Sequence, residues 1–293
     1  MPSPSRLLAI RDVAIRVYAI AAAPVPELPE VETVRSAMEC HLLGHRISAA
    51  WTSRKRLREP LPRARLESLS GDHFTRATRR AKYLLLELES KRTLLVHLGM
   101  SGNLLFRDRP ELHDHVVFTL DSSSRLVYSD PRRFGMVLVL EPEELETCRY
   151  LSDLGPEPLT SAFDTDYLWS VCRTRARPIK NVLLDGRVVA GIGNIYASEA
   201  LFGAGIRPAI RANRLSKKRV AELVEQIKRV LRRAIRQGGT TVSDYLGSGS
   251  GGRFQQQLAV YGRAGEGCIV CDKPVRNVVL AGRSSFYCPT CQH

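Results

Sequence analysis

The chain has 293 residues, 44% of them hydrophobic, and its 44 Lys and Arg against 30 Asp and Glu leave a formal charge of +14. That length and apolar content suffice for two modest domains and a small appendage, and they exclude a disordered chain. The charge favours a polyanionic partner, nucleic acid first, and no run of about 18 apolar residues offers a membrane-spanning helix.

In chain order, Leu7 to Ala23 is apolar-rich, but Arg11, Asp12 and Arg16 spoil it as the core of a secretory signal. A helix is predicted from Pro29 to Gly44, where Val31, Val34, Met38 and Leu42 recur at helical spacing. Pro29 suits its first turn, Glu30 and Glu32 complement its dipole, and Gly44 stops it. Short β-rich runs follow: Ile47 to Trp51, Tyr83 to Leu88, Thr93 to Leu98, His115 to Leu120, Arg125 to Ser129 and Met136 to Leu140. Together they suggest a sandwich or a barrel.

Near Glu143 the strand signals give way to helical periodicity. From Ser216 to Gln237 the residues Val220, Leu223, Val224, Ile227, Val230, Leu231, Ala234 and Ile235 form one stripe, with Ser216 as cap and Gly238 as stop. Its other face, rich in Lys and Arg, reads mainly as solvated. Gly247 to Gly252 reads as a flexible tether, with the option of a mobile lid over a site.

Cys268-x2-Cys271 and Cys288-x2-Cys291, sixteen residues apart, have the spacing of a four-thiolate zinc site. Four protein ligands leave no open position, so one structural Zn2+ is expected. Between the pairs a hairpin places Arg283 close to its turn, where a guanidinium fork can grip phosphate or simply be solvated. Cys40, Cys148 and Cys172 are scattered, which suits small core residues in a reducing cytoplasm.

The segment Pro26-Glu27-Leu28-Pro29-Glu30-Val31-Glu32-Thr33 resembles the mature amino terminus of bacterial formamidopyrimidine-DNA glycosylases. Further motifs match that family in order: Arg80 to Leu84, His97 to Gly102, Asp130 to Gly135, Leu154 to Leu159, Gly191 to Ala197, and Gly282 to Gln292. The resemblance implies an α+β multidomain fold: residues 26–142 a β-sandwich domain, 143–247 a helix-two-turn-helix domain, and 248–293 a linker or lid with a four-Cys zinc finger. It implies a monomeric repair enzyme acting on double-stranded DNA, excising oxidised purines such as 8-oxoguanine and cleaving the abasic strand by β,δ-elimination. Pro26 is then the nucleophile, its free amine forming an imine with the lesion sugar. Glu27 is the general acid/base, Lys82 a phosphate ligand that assists β-elimination, and Arg283 a phosphate ligand that assists δ-elimination.

For contacts with DNA and the lesion pocket the resemblance implies Glu30, Met100, His113, Arg132, Phe134, Lys180 and Asn194, with Met100, Arg132 and Phe134 filling the gap left by an everted nucleotide. Within Arg173 to Arg177 it names no DNA contact, because the sequence departs there from the usual lysine-rich version. The sister endonuclease VIII type is disfavoured, since its start lacks Leu-Pro-Glu-Val-Glu.

A proline inside a chain is a tertiary amide and no nucleophile, so the residues before Pro26 set a second expectation. Val25 stands where the family has its initiator methionine, and valine is what a GTG start codon becomes in a conceptual translation. The expectation is that translation starts at Val25 read as methionine; a cleaved presequence or a retained extension, leaving a silent damaged-DNA-binding protein, are the alternatives. Protein expressed from its native upstream region is predicted to begin Pro26-Glu27-Leu28, and start-site mapping separates the first two routes. A retained Met1 or Pro2 would overturn the expectation.

Overall fold

The computed structural model describes residues 25–239 and 257–293. The segment 1–24 and the tether from Gly247 to Gly252 therefore lie outside the described residues. Among the described residues no helix is long and apolar enough to cross a membrane.

The chain opens with α1 (Leu28–His41), then β1 (Ile47–Thr52), the short α2 (Arg63–Glu67), and seven further strands: β2 (Phe74–Arg80), β3 (Tyr83–Leu88), β4 (Thr93–His97), β5 (Asn103–Phe106), β6 (Asp114–Leu120), β7 (Arg125–Ser129) and β8 (Met136–Leu140). They form two four-stranded sheets, in the orders β1-β6-β7-β5 and β2-β3-β4-β8, with every pairing antiparallel. Of the sandwich or barrel that the short strands suggest, the two sheets make a sandwich.

Alternation fixes what faces the inside. Leu84, Leu86 and Leu88 of one sheet meet Val116, Phe118 and Leu120 of the other, with Val31, Val34 and Met38 of α1 joining the same core. Phe74 and Phe118 pack edge to face, 6.1 Å between centroids. The β3, β4 and β8 strands are also covered on their second face: Leu85, Leu95, Met136 and Leu140 pack against Cys148, Leu145 and Leu151. This double burial is why these strands read as nearly unbroken apolar runs.

Two strands were not predicted, β2 and β5, and both lie at sheet edges. Edge strands carry less apolar pattern and more charge; β2 reads Phe-Thr-Arg-Ala-Thr-Arg-Arg and β5 has four residues.

After β8 come α3 (Pro142–Glu146), α4 (Thr165–Arg173), α5 (Ile179–Leu183), α6 (Asn194–Gly203) and α7 (Lys217–Arg236). A second core gathers Leu168, Ile179, Val182, Ile195, Tyr196 and Leu201 around Val220, Leu223, Val224, Ile227, Leu231 and Ala234 of α7. The predicted stripe of α7 is thus its buried face, and Ser216 Oγ caps it by accepting from Arg219 N. Its basic face is partly engaged: Lys217 pairs with Asp166 at 2.5 Å and Arg219 donates to Gly205 O at 3.0 Å.

The carboxy-terminal hairpin is β9 (Arg276–Leu280) and β10 (Arg283–Tyr287). Ala281 and Gly282 turn it with φ of 47° and 75°, the left-handed pair of a tight hairpin. Phe118 is 1% exposed at the centre of the sandwich. Phe118→Ala is expected to destabilise that domain by about 3–5 kcal/mol, to be measured as a fall in the urea midpoint.

Candidate active site

The site is built where the start of the described chain meets the helical domain. Leu28 N donates to Gly191 O, and the Glu27 carboxylate lies against the amino end of α6, accepting from Gly193 N and Ile195 N at 2.8 Å and Tyr196 N at 3.3 Å. These are donors a helix cannot satisfy itself, at the positive end of its dipole. Glycine is required at 193 because a Cβ there would lie 2.3 Å from the Glu27 carboxyl carbon. Burial is the largest influence on Glu27 and raises its pKa above the ordinary value, against the opposing charge of Lys82 and the Ile195 and Tyr196 amides.

Lys82 occupies the tight turn between β2 and β3, beside Ala81 with its φ of 54°. The turn is gripped from the helical side: Ala81 N donates to Glu157 Oε1 at 2.6 Å, and Glu157 also pairs with Arg79 and Arg80. Burial, and the nearby charge of Arg283, lower the Lys82 pKa, while Glu27 and Glu30 raise it.

Across the gap, Arg283 begins β10 next to the hairpin turn. Asn194, the first residue of α6, donates from Nδ2 to Ser284 O at 3.0 Å. Glu27, Lys82, Asn194 and Arg283, together with Val25 and Tyr261, line one cavity of about 450 Å³. Pro26, between the lining residues Val25 and Glu27, is buried, and Val25 is 37% exposed in the cavity wall.

Two of the residues expected to contact DNA or the lesion pocket are held by internal hydrogen bonds. Glu30 is 1% exposed; its carboxylate accepts from Glu27 N at 3.0 Å and from the Tyr196 hydroxyl at 2.6 Å. It closes a capping box over α1 and holds Glu27 N. Lys180 is fully buried, donating from Nζ to Ser284 O and Ser285 Oγ, both at 2.9 Å. Burial is the largest cause lowering its pKa to about 8, and its task in this structure is to hold the Arg283 hairpin against the helical domain. In Arg173 to Arg177 the arginines are engaged internally: Arg177 pairs with Asp185, Arg175 donates to Val171 O, and Arg173 lies over Trp169.

Met100, Arg132 and Phe134 fall on two neighbouring loops. Phe134 is 48% exposed, Arg132 stacks over its ring at 5.0 Å, Met100 is half-buried, and His113 is exposed close by. Phe134 and the guanidinium stacked on it thus stand together at the surface.

Three residues were not singled out from the sequence. His97, in the same motif as Met100, is buried; burial first, then the charges of Lys82 and Arg58, lower its pKa to about 4. It is therefore neutral at pH 7, and its Nδ1 accepts from Gly99 N at 3.0 Å. Tyr261 packs edge-on against Phe286 at 5.1 Å. The third, Glu199 on α6, fixes that segment by accepting from the backbone N–H groups of Ala259, Val260 and Tyr261 at 2.8–3.0 Å. His97 could have been found from its motif; Tyr261 and Glu199 carried no local signal.

The sulfurs of Cys268, Cys271, Cys288 and Cys291 lie within 4.8 Å of one another, with Cys268 to Cys291 at 3.8 Å and Cys271 to Cys288 at 3.5 Å. Sulfurs about 2.3 Å from a tetrahedral zinc would be roughly 3.8 Å apart, so the donors fit one structural Zn2+. Gln292 braces the group, accepting from Cys288 N and donating to Ile206 O, both at 2.8 Å.

Three family models match in succession: the formamidopyrimidine-DNA glycosylase N-terminal domain over 25–137, the H2TH domain of the same proteins over 154–245, and the zinc finger found in FPG and IleRS over 265–293. A formamidopyrimidine-DNA glycosylase of Thioalkalivibrio sulfidiphilus is 49% identical over 92% of this chain and 100% of its own length; one of Pseudomonas fluorescens is 48% identical with the same coverage. The crystal structure of the MutM (Fpg) protein of Thermus thermophilus superposes with a TM-score of 0.81 at 38% identity, covering 91% of this chain and 98% of that one. Lactococcus lactis Fpg in complex with DNA containing an abasic site superposes with a TM-score of 0.83 at 33% identity, covering 91% and 99%. With all three modules matched in order and nearly the whole chain aligned, this protein belongs to the formamidopyrimidine-DNA glycosylase family.

Proposed function

We propose that this protein excises oxidised purines, 8-oxoguanine and formamidopyrimidines, from duplex DNA and then cleaves the abasic strand by β,δ-elimination. The observation that carries the reading is the convergence of Glu27, Lys82, Asn194 and Arg283 on one cavity beside Pro26. Its volume, about 450 Å³, is in the range that holds a small ligand. The solved complexes of Lactococcus lactis Fpg with abasic-site DNA and with N7-benzyl-Fapy-dG DNA support DNA as the partner.

In this reading the Pro26 amine attacks C1′ of the lesion sugar, the C1′ to base bond breaks, and the base leaves protonated. Glu27, whose pKa burial raises, exchanges protons with the sugar. The C1′–O4′ bond then opens, O4′ taking a proton, and the nitrogen lone pair completes an imine that acidifies C2′; the C2′ proton is lost as the C3′–O bond breaks and the 3′ phosphate leaves. A second elimination then releases the 5′ phosphate. Lys82 and Arg283 hold the flanking phosphates, while Asn194 steadies the hairpin that carries Arg283. Zinc, when bound, braces that hairpin, and its four thiolates leave it no open position for chemistry.

The amine exists only when Pro26 begins the chain. With Val25 still attached, the nitrogen is an amide and Val25 itself lines the cavity. That placement favours a second reading for the extended form, a DNA-binding protein that recognises damage without cutting.

Borohydride trapping on a duplex containing 8-oxoguanine tests both. The form beginning at Pro26 is expected to give a covalent adduct, and the extended form binding alone. Absence of an adduct from the Pro26 form, with binding intact, overturns the enzyme reading. Arg283→Ala is expected to weaken binding to all sequences alike and to reduce the log–log salt slope by roughly 0.9, one phosphate contact. Filter binding across a salt series checks it; an unchanged slope with sequence-selective loss would assign Arg283 to a base.

A further inference from the structure

Asp130 is fully buried, and its carboxylate joins two loops that are remote in sequence. Oδ1 accepts from Ser101 Oγ at 2.6 Å, in the loop that carries Met100. Oδ2 accepts from Gly135 N at 2.8 Å, at the end of the loop that carries Arg132 and Phe134. Ser101 Oγ in turn accepts from Arg132 N at 3.2 Å, so one hydroxyl and one carboxylate link the two loop tips.

The backbone of Asp130 is equally constrained. Its N–H donates to His113 O at 2.9 Å, and its carbonyl lies 3.0 Å from His115 Nε2 and accepts from Arg133 N at 3.2 Å. With Nε2–H donating, His115 Nδ1 is left to accept from Ser53 Oγ at 3.0 Å. The loops also touch through their glycines: a Cβ on Gly99 would lie 2.5 Å from Gly135 N, and one on Gly135 would lie 2.6 Å from His97 O. Nothing wider than a glycine fits between them.

We propose that Asp130 is the positioning residue that joins these loops into one rigid wedge, so that Met100, Arg132 and Phe134 enter the DNA together. The inference rests on the glycosylase reading for its substrate. Its physical basis is preorganisation: side chains that replace an everted nucleotide act at the moment the stack is broken, and two loosely joined loops must be ordered then. Here the ordering is completed in folding, because a buried carboxylate requires its donors. The staple touches no reacting atom. It acts through the tips alone, and therefore on eversion rather than on chemistry.

Ser101→Ala is the informative variant, since it cuts both links through the hydroxyl while leaving the buried carboxylate and Gly135 N in place. It is to be read on the form beginning at Pro26, with circular dichroism to confirm the unfolding midpoint. Single-turnover excision of 8-oxoguanine from duplex is expected to slow roughly tenfold, equivalent to about 1.4 kcal/mol, the scale of a hydrogen bond to a charged group. Strand cleavage at a preformed abasic site should stay within about twofold, and Ser101→Thr should restore excision. A 2-aminopurine placed beside the lesion should show a smaller fluorescence rise on binding. In a Phe134→Ala background, Ser101→Ala should add less than about twofold, since both act through one element.

Unchanged excision, equal losses on both substrates, or full additivity with Phe134→Ala would each overturn the staple. The fluorescence arm needs no chemistry. If the parent protein unstacks the lesion but never excises it, the glycosylase reading fails while the staple is still decided by the fluorescence of Ser101→Ala.

Discussion

The contact on which the rest depends is the Glu27 carboxylate seated on the first turn of α6. It joins the beginning of the described chain to the helical domain more than 160 residues later. A charge removed from water must be met by fixed dipoles, and here the unpaired amides of a helix end meet it. Two further constraints follow. Gly193 must lack a side chain, and Glu30 must turn inward to hold Glu27 N. The same helix, by Glu199, fixes the backbone that places Tyr261 in the cavity wall. Two walls of the site are therefore measured from one rod, whose residues from Ile195 to Leu201 are all buried.

The third wall belongs to the sandwich, and its position is set by charge. Arg79 lies between Glu32 of α1 and Glu157 of the helical domain, 2.8 Å from each, while Arg80 caps the carbonyls of Leu154 and Gly155. These groups are largely shielded, so breaking one pair leaves charge uncompensated. The turn bearing Lys82 is thus referenced to the helical domain as firmly as to its own sheet. The fourth wall, the hairpin with Arg283, is held through Lys180 and Asn194.

Much of this was legible in the sequence because period and spacing are local. The sandwich strands that are buried on both faces, the stripe of α7 and the two Cys-x2-Cys pairs all announce themselves within a few residues. What failed was whatever is defined by a partner far along the chain. β2 is a strand because β3 lies beside it, in spite of three arginines. The burial of Glu30 and Lys180 carried no local signal, because their acceptors or donors arrive from another module. Glu32, read as a complement to the helix dipole, has arginine partners on α1 and on β2. Tyr261 and Glu199 belong to a cradle whose halves are some 60 residues apart.

The glycines at the seams carry a consequence for how this protein tolerates change. Gly99, Gly102, Gly135, Gly155 and Gly193 each stand where one added methyl would meet backbone or a held side chain at under 3 Å. None of them fills a core; they set the closeness of one loop to another, of a loop to a helical domain, or of a carboxylate to a helix end. The cores can absorb an exchange of one aliphatic side chain for another of similar volume, but a seam has no volume to exchange. Variation in a lineage of such proteins is therefore expected to drift through the apolar interior and to halt at these few positions without side chains.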